Sequence, residues 1–326
     1  MHSEQEIFKD ALFRNKKKKK GYRVVEAPCP PLEASVADTH AHLDMLCDVP
    51  LVLARCAVHN VGFICSIVDP SEDKGRVYAQ MDSWQGEAEA LLPEIITATE
   101  AETDQHISVA AVPSIRIATG CHPHNAKHYD EALEKKLCDQ LRDPRTCAIG
   151  EIGLDYHYDF SPRPIQKEVF RRQIHLAHKT QLPIILHLRE AHDEAMDIMK
   201  QEGFPAAGTL LHCFNLDSET LLPWLEQGCY VAFGGPVTFK KSEDTREASK
   251  LVATDRLLTE TDAPYMTPEP MRGMVCGPQH TIFTAACLAE VRGCQPGNER
   301  ETFLAALYAN ALTLLDRKPT CWQTGE

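Results

Sequence analysis

Eight short apolar runs, each followed by text with helical patterning, constrain this chain more than any other feature in it. They fall at 36–44, 62–68, 115–120, 147–151, 183–187, 209–212, 230–233 and 257–260. Apolar runs of this length bounded by turn residues read as buried strands. Strands that alternate with helices pair in parallel, because each helix carries the chain back to the end where the next strand starts. A closed α/β barrel and an open doubly wound sheet both satisfy the pattern. At 326 residues and 43% hydrophobic content, the chain can bury a sizeable core in either.

The placement of ligand-type side chains separates the two. In the first run, Asp38-Thr39-His40-Ala41-His42-Leu43-Asp44, His40 and His42 stand two apart, so in a strand they share a face. Alone, the pair describes two core histidines as well as it describes a metal site. Further along, Glu151 ends the fourth run, His187 the fifth and His212 the sixth, and Asp262 follows the eighth. From His42 onward the intervals are 109, 36, 25 and 50 residues, each a whole number of strand-helix units. In a barrel such strand ends ring one mouth, whereas an open sheet would spread them along an edge. The expected fold is therefore a TIM-type (β/α)8 barrel, slightly irregular, in a single domain with an N-terminal tail. Four imidazoles and two carboxylates exceed what one tetrahedral ion uses. They predict two divalent cations bridged by Glu151, one on His40, His42 and Asp262, the other on His187 and His212. The mixed donor set suits Mg, Mn or Zn.

Outside this frame, residues 1–34 read as a polar tail containing Lys16 to Lys20, either a solvated arm or one that attracts phosphate. Residues 35–316 form the barrel, with the acidic, Ala-rich stretch 83–112 read as an elongated connection or insertion, and 317–326 as a C-terminal tail. A net charge of −13 means that the surface as a whole repels polyanions, so any nucleic-acid contact must be local. Lys240 and Lys241, after the seventh strand, are candidates for such a contact on the rim. The 13 cysteines include no Cys-x-x-Cys, the nearest pair being Cys287 and Cys294, which argues for reduced thiols in a cytoplasmic protein. No apolar run approaches the ~20 residues of a membrane-spanning helix. A monomer is the favoured state.

The motifs taken together resemble those of the TatD-type metal-dependent deoxyribonucleases of the amidohydrolase superfamily. The likeness rests on Asp38 to Asp44, Gly120-Cys121-His122-Pro123-His124, Gly150 to Tyr156, Pro183 to Arg189, Leu211-His212-Cys213-Phe214 and Glu260-Thr261-Asp262-Ala263-Pro264-Tyr265, in that order. It implies a metal-dependent phosphodiesterase acting on DNA, often as a 3′-to-5′ exonuclease, with RNA a further substrate. His40, His42, Glu151, His187, His212 and Asp262 match the family's ligand positions, and His122 and Arg189 match polar positions beside the metals. Asn215-Leu216 and Cys276-Gly277-Pro278 depart from the family pattern without touching a ligand. In such a site Asp262 is the candidate general base, and Arg189 clamps a phosphate or forms a surface salt bridge. An amide or ester hydrolase on the same scaffold, such as an aminoacyl-tRNA deacylase, is the alternative. Many amidohydrolases bridge their metals with a modified lysine on strand four, where this chain has Glu151. A non-catalytic metal-binding interaction protein predicts damaged ligands, and all six are present.

Overall fold

The computed structural model describes residues 8–17, 21–29, 31–72, 75–103, 106–107 and 111–325. Its strands are β1 (Phe13–Lys17), β2 (Gly21–Val25), β3 (Val36–Ala41), β4 (Val61–Val68), β5 (Ser114–Thr119), β6 (Thr146–Asp155), β7 (Ile184–Arg189), β8 (Thr209–Leu211), β9 (Tyr230–Phe233) and β10 (Leu257–Thr259). The helices are α1 (Val49–Val58), α2 (Arg76–Thr103), α3 (Glu131–Leu141), α4 (Arg163–Thr180) and α5 (His192–Glu202). They continue with α6 (Ser218–Glu226), α7 (Glu243–Leu251), α8 (Thr281–Val291), α9 (Asn298–Leu315) and α10 (Cys321–Thr324).

Strands β3 to β10 form one eight-stranded parallel sheet in chain order, with helices around it. The last strand returns to the first. Ala41 bridges Ala263, Asp262 donates its N–H to the His40 carbonyl at 2.9 Å, and His42 donates to that of Ala263 at 2.8 Å. Lower in the seam, hydroxyls replace part of the backbone ladder: Thr39 donates to the Thr259 carbonyl at 3.0 Å, and Thr259 to that of Ala37 at 2.6 Å. The result is a nearly closed, slightly irregular (β/α)8 barrel.

Large and small side chains share the interior, with Phe63, Ile185 and Leu258 among Ala37, Ala118, Ala148 and Ala232, as layered barrel packing requires. Ala311, Leu314 and Leu315 of α9 complete that cluster. Contacts of α9 with strand starts, such as Asn310 to the Leu257 carbonyl at 3.1 Å, place it across the N-terminal end of the barrel. The C-terminal end is left for chemistry.

Three segments differ from their sequence-based description. Within 1–34, β1 and β2 pair as an antiparallel hairpin, and Ala11, Phe13 and Leu32 are buried. Phe13 stacks on His59 at 4.5 Å and meets Phe283 edge-on at 4.7 Å. Too few apolar residues stand in this polar stretch for a periodic signal, yet they suffice to dock it. Lys16 lies beside the Tyr22 ring, whereas Lys18 to Lys20 fall outside the described residues. Most of 83–112 is helix α2, whose buried Val77, Met81, Trp84, Ala88, Ile95 and Thr99 recur at the three- and four-residue steps of one helical face. Acidic and alanine-rich composition hid that stripe. Within 317–326, α10 is a short capped helix whose Gln323 donates to the carbonyls of Leu141, Asp143 and Thr146. No described helix is long and apolar enough to cross a membrane.

Candidate metal centre

Two irregularities in the barrel wall aim the central side chains. On β6, Gly150 and Glu151 together face the single residue Ile185 of β7, and on β3 Thr39 and His40 face Cys65 of β4. Such bulges turn a side chain out of strict alternation, here toward the mouth. The tight passage at β6 demands glycine. A Cβ on Gly150 would meet the Ile185 Cβ at 2.6 Å, and one on Gly153, whose φ is +144°, would sit 2.1 Å from the His187 carbonyl oxygen. Asp38 locks the seam from below: it accepts from the His40 and Thr261 N–H groups at 3.2 and 2.9 Å and from the Thr261 hydroxyl at 2.5 Å. Burial pushes its carboxyl up to about 8, so it is largely neutral at pH 7.

The six expected ligands meet around Glu151. Its Oε2 faces His40 Nε2 at 3.3 Å and His42 Nε2 at 3.9 Å. Its Oε1 faces His187 Nδ1 at 2.5 Å, His212 Nε2 at 2.8 Å and His122 Nε2 at 3.6 Å. Asp262 Oδ1 lies 3.6 Å from His42 Nε2 and 3.9 Å from His40 Nε2. His40, His42 and Glu151, then Glu151, His187 and His212, then His40, His212 and Asp262, each form a group able to hold a cation. Arg189 stands apart from this cluster, with its guanidinium 4.6 Å above the Tyr158 ring and, among the described residues, no carboxylate paired with it.

The donor chemistry fits a divalent cation. Both ring nitrogens of His40 are buried without a hydrogen-bond partner among the described residues, a costly arrangement unless an ion takes a lone pair. Burial lowers the His40 pKa, and the neighbouring His212 adds to the shift, so its ring stays neutral and able to ligate. Burial would likewise lower His42, His187 and His212, but the adjoining carboxylates outweigh it and all three are raised. For Glu151, burial would raise the carboxyl, yet the surrounding imidazoles hold it well below its usual range. The pocket is thus anionic at heart, with protons standing where cations would go.

Three supporting residues had no assigned role in the sequence analysis. Asp155, buried at the end of β6, accepts from His187 Nε2 at 3.1 Å and His124 Nε2 at 2.8 Å through one oxygen. Through the other it accepts the N–H groups of His157 and Tyr158. Glu260 lies 3.4 Å from His212 Nδ1 and accepts the Cys213 N–H at 2.6 Å. Carboxylates behind ligand histidines fix the tautomer and the ring plane. His124 joins His122 and His187 in a further cluster. The signal for Asp155 was its place four residues past Glu151 on the same strand, which could be used only once β6 was known to run that far.

An uncharacterized metal-dependent hydrolase of Escherichia coli K12, YcfH, is 31% identical over 265 residues, 79% of this chain and 88% of that protein. The human 3′-5′ RNA nuclease TATDN2 is 32% identical over 291 residues, which are 87% of this chain and 36% of that protein. The crystal structure of YJJV, a TatD homologue from Escherichia coli K12, superposes with a TM-score of 0.71 at 26% identity, covering 86% of this chain and 98% of that one. Residues 37–316 match the family described as TatD related DNase. With its barrel and the histidine–carboxylate groups at its mouth, the chain belongs to the TatD family of metal-dependent hydrolases.

Proposed function

We propose that this protein is a nuclease that hydrolyses phosphodiester bonds of DNA, removing nucleotides from the 3′ end. The observation that carries the reading is the division of Glu151, whose two carboxylate oxygens face two different imidazole sets. Such a division suits a carboxylate that two cations would share: His40, His42 and Asp262 would hold one, and His187 and His212 the other. Two divalent ions held there would supply Lewis acidity, acidifying a water and neutralising charge on the phosphodiester.

The remaining roles follow from the side chains. Asp262, a carboxylate whose side chain is 15% exposed, reaches the solvent side of the pocket and accepts the proton of the attacking water. His122 accepts the His124 N–H at its Nδ1, and burial reinforced by His187 lowers its pKa to about 4. It is therefore a neutral ring with its proton on Nε2, a donor for a non-bridging phosphate oxygen. Arg189, free of carboxylates among the described residues, clamps a phosphate at the mouth. Lys240, Lys241 and Arg272 line a cavity of about 390 Å³ in the loops after β9 and β10, at the same end of the barrel. They provide local positive charge on a chain that is acidic overall.

RNA is the second reading, favoured by the human relative TATDN2, a 3′-5′ RNA nuclease. The test is metal-reconstituted protein with end-labelled single-stranded DNA and RNA. A ladder shortening from the 3′ end is expected, abolished by chelator. Glu151→Ala or Asp262→Ala should lower the rate by on the order of 10³ or more, because several kcal/mol of charge stabilisation goes with the cations. Nuclease activity that persists in those variants, or turnover of esters and amides but not of oligonucleotides, would overturn the proposal.

A further inference from the structure

Beside the metal centre, the loop between β6 and α4 exposes two aromatic rings that no packing requirement explains. Tyr158 is 48% exposed and Phe160 55% exposed, with ring centroids 5.3 Å apart and planes within 17° of parallel. Looseness of the loop is not the cause. Asp155 accepts the N–H groups of His157 and Tyr158, and Gln166 donates to the carbonyls of Asp155 and Ser161. The Ser161 hydroxyl donates to the His124 carbonyl at 2.7 Å and accepts the Lys127 N–H at 3.0 Å. The rings are held out by a turn anchored through these hydrogen bonds.

Their surroundings identify what they face. Both meet the His124 ring edge-on, Tyr158 at 5.5 Å and Phe160 at 4.8 Å, and His124 stands 6.0 Å from the ring of His187, one of the candidate ligands. The Arg189 guanidinium caps Tyr158 without a competing carboxylate among the described residues. Flat apolar faces next to an unpaired guanidinium match the two parts of a nucleotide, a base to stack and a phosphate to hold. An apolar peptide would leave the arginine without a counter-charge.

We propose that Tyr158 and Phe160 form a shelf on which a base of the nucleic-acid substrate stacks, beside the candidate metal centre. This rests on the nuclease reading and narrows it.

The experiment is a cycle between protein and substrate, using metal-loaded full-length enzyme and a DNA oligonucleotide in which one abasic nucleotide is walked through the positions flanking the cut. Tyr158→Ala and Phe160→Ala are each expected to raise KM for the intact strand about 5–100-fold, the worth of one stacked base. Phe160→Trp should restore it. At one abasic position the wild type should lose a similar factor, and there the extra loss from Phe160→Ala should shrink to less than threefold. Losses that simply multiply at every position, or an unchanged KM in both variants, would overturn the shelf while leaving an active nuclease. A wild-type enzyme that cuts no oligonucleotide would instead bring down the nuclease reading.

Discussion

Asp155→Asn tests whether the carboxylate behind His187 governs metal binding. In the native pocket Asp155 is an anion: burial would raise its pKa, but hydrogen bonds from His124 and His187 outweigh that and lower it. It accepts at 3.1 Å from His187 Nε2, which leaves Nδ1, facing Glu151, as the nitrogen that a cation would take once its proton is displaced. Asparagine is nearly the same size and can keep its oxygen on the His157 and Tyr158 N–H groups, which lie at 3.0 and 2.9 Å. Its NH2 then faces the two imidazoles. His187 Nε2 must become an acceptor, and its proton moves to Nδ1, the nitrogen needed for ligation. A lost hydrogen bond to a charged group is worth about 1.5–3 kcal/mol. At 1.4 kcal/mol per factor of ten, that is roughly a 10–100-fold loss of affinity at the His187–His212 position. Calorimetric titration with Mn²⁺ or Zn²⁺ reads it directly, as one weakened site beside one little altered. Affinity within twofold of wild type at both sites, in a variant with an unchanged melting temperature, would refute the reasoning.

The raised imidazoles of His42, His187 and His212 carry protons that a cation must displace, so metal binding should release protons at pH 7 and tighten as pH rises past the ordinary histidine value of about 6.5. Titrations in buffers of different ionisation enthalpy check this, and the absence of proton release would contradict it. Phe13→Ala should cost about 3–5 kcal/mol of hairpin docking, seen as rapid proteolysis within residues 13–25 and a lower melting temperature. Gly153→Ala adds a Cβ where the His187 carbonyl already stands, at a φ that L side chains rarely adopt, and should destabilise the fold by several kcal/mol (~4) in chemical denaturation.

Much of the architecture was readable from local pattern because buried parallel strands carry an unmistakable apolar signature. The expected run at 62–68 is β4, Val61–Val68, and 230–233 is β9. The hairpin escaped because docking rests on a few contacts such as Phe13 against His59, and so sparse a set leaves no period. The continuation of helix α2 beyond about residue 82 escaped because its buried stripe there lies within acidic, Ala-rich text.

For the candidate site, residue types and intervals alone pointed to His40, His42, Glu151, His187, His212 and Asp262, since an α/β repeat of regular length brings strand ends to one mouth. Which oxygen of Glu151 faces which histidine, that Asp155 and Glu260 stand behind His187 and His212, and that Arg189 lies on Tyr158 were decided by the tertiary structure. These are contacts between residues distant in the chain. They depend on bulges of a single residue at β3 and β6, which shift side chains by a fraction of a turn and leave hydrophobic periodicity almost untouched. The sequence alone therefore determined the fold class and the kind of chemistry, and the geometry that makes the chemistry specific came from the packing of strands against one another.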